Sequence, residues 1–212
     1  MSKMLLGCGA ILLAAVVIVG MTLAGTYNGL NRKNQAVAAQ WAQVENVYQR
    51  RADLIPNLVA TVQGAANFEK STLQAVIEAR SKVSSIQATP ELVNDPQAFQ
   101  KFEAMQGQLT SALSRLMVVV EQYPDIKANQ NFRDLQAQIE GTENRITVER
   151  QRFNEVAQDY NTTFHSFPTN MMAGMLGFKE KSYFQAQAGA ETAPKVNFNF
   201  GTSSAAPAPA TK

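Results

Sequence analysis

MLLGCGAILLAAVVIVGMTLA, residues 4–24, carries no charged side chain. At about 1.5 Å of helical rise per residue it reaches roughly 30 Å, the thickness of a bilayer's hydrocarbon core. The stretch predicts an uncleaved membrane anchor. A secretory signal has an apolar region of only about 7–15 residues and ends on a small-x-small site, which Thr22-Leu23-Ala24 imitates poorly. Leu5-Leu6-Gly7-Cys8 has the outline of a lipoprotein box, but the apolar run before the cysteine is too short and continues well past it, so Cys8 is read as a lipid-facing side chain. As the only cysteine in 212 residues it excludes an intramolecular disulfide and a cysteine metal site. Lys3 on one side of the span is balanced by Arg32 and Lys33 on the other, so positive charge does not orient it.

Beyond the anchor the periodicity is helical. Leu30, Val37, Trp41, Val44 and Tyr48 follow steps of three, four and seven, and place one apolar face on a helix that continues out of the membrane. Asp53-Leu54-Ile55-Pro56 predicts a kink or a re-start, because proline lacks an amide donor and Asp53 suits a new N-terminus. A second helix is expected over about 54–87, with Ile55, Leu58, Val59, Val62, Ala65, Leu73, Val76, Ile77, Val83 and Ile86 on its buried stripe. Thr89-Pro90 and Asp95-Pro96 both read as cap-plus-proline starts flanking a turn. A third helix over about 97–122 carries Phe99, Phe102, Met105, Leu109, Leu113, Leu116 and Val120, the spacing of a left-handed bundle seam, and stops at Tyr123-Pro124. The fourth begins near 128–131 and runs to Pro168. Its seam of Phe132, Leu135, Ile139, Ile146, Phe153, Val156, Tyr160 and Phe164 is interrupted by the polar Thr142, Glu149 and Thr163.

The organisation expected is therefore all-α: an anchor at 1–25, an antiparallel bundle of long helices at 26–167, an apolar flexible segment at 168–187 and a disordered low-complexity tail at 188–212. Met171, Met172, Met175, Leu176, Phe178 and Phe184 form a strip that either docks on a partner or membrane surface or folds back over the open end of the bundle. In the tail, Val196, Phe198 and Phe200 alternate with asparagines as a short strand would.

Chemistry is sparse. The net charge of +2 and the absence of long basic runs argue against nucleic acid as a partner. His165 is the only histidine, too few for a histidine metal cluster. No phosphate loop, nucleophile elbow or zinc-protease helix occurs. Glu69, Glu78, Glu121, Glu140 and Glu143 lack the Glu-x-x-His repeat of a carboxylate metal bundle. The reading is a protein that is not an enzyme and takes no cofactor. Charge placed beside the seams, at Arg51, Asp53, Glu78, Arg80, Glu143, Arg145, Arg150 and Asn154, is either an inward network that fixes helix register or a solvated face of ordinary intrahelical pairs.

Read in order, Arg51-Ala52-Asp53-Leu54-Ile55-Pro56-Asn57-Leu58-Val59, Glu69, Glu78-Ala79-Arg80, the run Glu121 to Asn129 with Tyr123, Pro124 and Lys127 inside it, Phe132 and Leu135, Gly141 to Ile146, and Tyr160-Asn161 resemble the LemA family. The resemblance extends from about Tyr27 to Phe184. It implies a bacterial envelope protein with one N-terminal anchor in the inner membrane and a bundle of long helices on the extracytoplasmic side. It adds no reaction. Two function classes follow: a tethered scaffold that binds envelope proteins or assembles with itself, and a sensor that signals through the first helix with Pro56 as a mechanical joint. The long Ala/Pro tail and Glu69-Lys70-Ser71-Thr72 depart from the family pattern without affecting the fold expected.

Overall fold

The computed structural model describes residues 2–64, 68–86 and 88–185, with side chains from residue 10 onward. The side chain of Cys8, together with Ala65 and the alternating Val196, Phe198 and Phe200, lies outside what it describes. The first helix, α1 (Ser2–Gln63), is one rod of 62 residues, about 90 Å long at the standard rise. Its N-terminal part is long and apolar enough to cross a membrane, and Ile11, Val16, Ile18 and Met21 are all exposed in the isolated chain. From Leu30 onward the helix becomes one-sided, and Leu30, Val37, Trp41, Val44 and Tyr48 are buried as their spacing predicts.

The helix re-start that was one of the two outcomes expected at Pro56 does not occur. Pro56 sits inside α1, where its missing amide leaves the carbonyl of Ala52 without its helical donor. Arg80 supplies the replacement: its Nε donates to that carbonyl at 3.0 Å. The chain instead leaves the helix after Gln63, so the second helix is α2 (Lys70–Ser84) and not a run over 54–87. Ile55, Leu58, Val59 and Val62 belong to α1, Leu73 and Val76 to α2, and Ile77 faces outward.

A 3-10 turn at Pro90–Asn94 connects to α3 (Pro96–Val120), whose N-terminus is capped by Asp95 accepting from the amides of Gln97 and Ala98. Tyr123 and Pro124 open the short α4 (Pro124–Ala128). Asn129 caps α5 (Gln130–His165) by accepting from the amides of Asn131 and Phe132. A single turn, α6 (Thr169–Met172), follows. The chain therefore runs out along α1, back along α2, out along α3 and back along α5, with α1 packed chiefly on α5 and α2 on α3.

Two apolar clusters fill the bundle. The membrane-proximal one gathers Trp41, Phe99, Phe102, Phe153 and Tyr160, and the distal one Ile55, Leu58, Leu109, Leu116, Phe132 and Ile139. Along α1 the first ends at Tyr48 and the second begins at Ile55. A polar layer occupies the gap.

Candidate functional site

That layer is built on Arg51, which is 1% exposed. Its Nη1 donates to Thr110 Oγ1 at 2.9 Å and to Glu143 Oε1 at 2.5 Å. Its Nη2 donates to the side-chain carbonyl of Gln106, and its guanidinium lies over the Tyr48 ring, 5.2 Å from the centroid. One side chain of α1 thus ties α3 and α5 together. Burial on this scale is costly unless the charge is neutralised and most of its donors are satisfied. Glu143 meets the first need while remaining 32% exposed itself. The Nε atom has no hydrogen-bond partner among the described residues. Burial also pushes the Tyr48 hydroxyl above the ordinary tyrosine range, against the lowering effect of Arg150 and Arg51.

A second polar construction holds residues 179–185 against the membrane-proximal cluster. Gly177, at φ +81°, turns the chain after α6, and the segment then runs extended along the bundle. Asn161 accepts from the Lys181 amide at 2.9 Å and donates to the Lys181 carbonyl at 2.8 Å. Asn154 does the same with Phe184, both distances being 2.9 Å. Each carboxamide thus stands in for the peptide group of a neighbouring strand. Tyr160 donates to the Lys179 carbonyl at 2.9 Å, Ser182 donates its amide to the Val93 carbonyl at 2.9 Å, and Arg150 donates to Gln185 at 3.1 Å and to Glu103 at 3.0 Å. Phe184 fills the aromatic cluster, with ring centroids 4.9 Å from Phe99 and 5.5 Å from Phe153, and Arg150 caps its outer face at 4.5 Å.

Burial sets the ionisation of this strap. The Tyr160 hydroxyl is pushed up to about 12 by desolvation. Glu103 is raised by desolvation, opposed by Arg150. Lys181, donating to Asn94 Oδ1 at 2.6 Å above the Tyr160 ring, is lowered by desolvation, opposed by Glu91.

The singled-out residues divide accordingly. Arg51 and Glu143 face inward together, Arg150, Asn154, Tyr160 and Asn161 form the clamp, and Arg80 occupies the carbonyl beside Pro56. Asp53, Asn57 and Glu78 are exposed, and Asp53 accepts from Gln49 one turn away. Glu69 precedes α2 and accepts from Ser71, Lys127 pairs with Glu121 at the α4 corner, and Tyr123 meets Phe68 at 4.9 Å beside exposed Pro124. Asn129 is a cap. Arg145 lines an open groove between α1 and α5 with Arg50 and Arg152. Of the strip, Phe184 and Phe178 pack on the core, as the fold-back alternative has it, whereas Met171, Met175 and Leu176 remain exposed and Met172 is half-buried. The apolar side chain of Phe184 has nowhere drier to go than the Trp41 cluster, and the paired asparagines satisfy the backbone that carries it there.

Gln106, Thr110, Glu103, Asn94 and Lys181 were not singled out from the sequence. Gln106 was detectable: it falls seven residues after Phe99 and seven before Leu113, a polar residue at a seam position. Asn154 and Asn161 share the same seven-residue spacing on α5.

The family model described as the LemA family matches residues 40–198. Among curated proteins, "Magnetosome protein MamQ 2" of Paramagnetospirillum magneticum is 28% identical over 194 residues, covering 84% of this chain and 71% of that protein. "Magnetosome protein MamQ" of Magnetospirillum gryphiswaldense is 27% identical over 199 residues, covering 86% and 73%. With a match over most of its length, and a helical bundle carried on a long apolar N-terminal helix, the chain belongs to the LemA family.

Proposed function

We propose that this chain is a non-enzymatic, membrane-anchored helical scaffold of the bacterial cell envelope, in which the bundle holds binding surfaces for envelope proteins or for further copies of itself at a fixed height above the inner membrane. The observation that carries this reading is the continuity of α1, which leaves the apolar stretch and supplies the bundle's core face without a linker. A rod of this kind transmits position and orientation, as a spacer must. Two features stiffen it: Arg51 fastens α1 to α3 and α5, and Arg80 makes good the hydrogen bond that Pro56 omits. The sensor reading needs a joint at Pro56, and the satisfied carbonyl of Ala52 argues for rigidity there. The extracytoplasmic side is the side the family resemblance favours.

The test is extraction of the tagged full chain in mild detergent, followed by sizing and identification of co-purifying proteins. A defined assembly of stable stoichiometry is the expected result. A monomer with no co-purifying partner, in several detergents and after cross-linking in intact cells, would overturn the scaffold.

A further inference from the structure

The returning end of the bundle brings an apolar surface down to where α1 leaves the lipid. The uncharged stretch ends at Ala24, and Tyr27, three residues or about 4.5 Å of rise later, meets the ring of Phe178 at 5.7 Å. Lys33 pairs with Asp159 near the end of α5 at 2.6 Å. These contacts place the 167–178 segment at the level of the anchor's exit. Within it, Phe167 is 80% exposed, Met175 89% and Met171 68%, with Leu176 also exposed. Elsewhere beyond Tyr27, the large apolar side chains exposed among the described residues are separate: Ile77, Val118 and Val148, each on a different helix, and Tyr183 on the strap. Four in twelve residues, gathered at one end, form a patch of the kind that marks an interaction surface. Arg32 and Lys179 are exposed at the same end and have no ion pair among the described residues.

We propose that this segment is seated in the boundary of the bilayer that the anchor crosses, as a collar around the exit of α1. Phe167, Met171, Met175 and Leu176 enter the boundary between headgroups and acyl chains, and Arg32 and Lys179 meet lipid phosphates above them. Unbranched methionine and aromatic side chains suit this irregular layer, and cations flanking an apolar surface are drawn to anionic headgroups. The lipid surface is favoured over a protein occupant because the patch continues the apolar surface of the anchor. The inference rests on the membrane-anchored reading, and the experiment separates the two.

The full chain with Cys8→Ser is given single cysteines at Val17, Met175 or Gln122, labelled with an environment-sensitive fluorophore, and reconstituted into phosphatidylcholine–phosphatidylglycerol vesicles containing spin-labelled lipid. Val17 reports the anchor, and Gln122 reports the distal end of α3. The label at Met175 should be quenched several-fold more than that at Gln122, and more by a shallow spin label than by a deep one. Quenching at Val17 with none at Met175 would leave the anchor standing and overturn the collar. No quenching at either would overturn both. A label at Met175 shielded from aqueous iodide yet untouched by lipid quenchers would mean that protein, including a second copy, covers the patch, and would overturn the lipid assignment. In the Met175 reporter, Met171→Asp should reduce lipid quenching at least two-fold, and unchanged quenching would count against insertion.

Discussion

Replacing Arg51 with methionine asks what the polar layer contributes. Methionine fills much of the same volume, so the cavity left is small and the electrostatic consequence dominates. Three acceptors lose their donor, of which the Thr110 hydroxyl keeps its own bond to the Gln106 backbone carbonyl. Gln106 is buried and is left with an unmet carbonyl, a cost of about 1–3 kcal/mol. Removing one member of a buried ion pair costs about 3–5 kcal/mol, but Glu143 is 32% exposed, so water replaces part of what it loses. The combined loss is about 3 kcal/mol. With a urea dependence of about 2 kcal/mol per M, the unfolding midpoint falls by about 1.5 M. Trp41, the only tryptophan, reports the transition from within the aromatic cluster. The triple variant Arg51→Met, Gln106→Leu, Glu143→Gln removes the stranded buried carbonyl and the unpaired carboxylate charge and should recover at least half of the loss. A midpoint shift below about 0.5 M, or a triple variant no better than the single, would refute the claim that orphaned partners set the cost.

Arg80→Ala frees the Ala52 carbonyl and should cost about 1–2 kcal/mol. In a Pro56→Ala background the restored amide takes that carbonyl, so the same substitution should cost less than half as much; equal costs in both backgrounds would show that Arg80 acts otherwise. Phe184→Ala should destabilise by about 3–5 kcal/mol and speed hydrogen exchange at the Lys181 and Phe184 amides more than at α3 amides, with a uniform acceleration counting against a separate strap. Tyr160 stays protonated up to about 12 in the folded state, while an unfolded tyrosine ionises near pH 10. The folded chain then holds the extra proton, so stability falls as pH rises from about 10 towards 12. Lys181, lowered in the fold, gives the opposite slope just below its ordinary value. Urea unfolding at pH 9, 10 and 11 should show a shallower alkaline decline in Tyr160→Phe than in the parent, and parallel declines would dispose of the assignment.

The bundle was legible wherever local pattern and tertiary contact agree. The face from Leu30 to Tyr48 and the seam from Phe99 to Val120 are what their spacing implies, apart from Met105, which is only half-buried while Gln106 beside it turns inward. Asp95 was readable as a cap because capping is a matter of neighbouring residues. Pro56 misled for the complementary reason: the proline rule is local, and the guanidinium that answers it comes from another helix. The turn after Gln63 was overlooked because Gly64 alone is a quiet signal inside an apolar pattern. Within the candidate site, Arg51 and Glu143 were visible as charges near the seams, but their pairing depends on how α1 and α5 align. The strap was least legible, since an extended segment held by side-chain amides has no periodicity of its own.

The unbroken α1 has a geometric corollary. A helix advances about 100° per residue, so the azimuth of the bundle about the membrane normal is locked to the azimuth of the lipid-facing stretch. One residue inserted near Gly25 would swing every surface of the bundle by about 100°, whereas seven would return it to within about 20° and raise it by about 10 Å. Length changes in this short neck therefore act as a dial in which bearing and height are altered separately, and indels there should be tolerated in whole heptads wherever the bearing of the bundle matters to its neighbours.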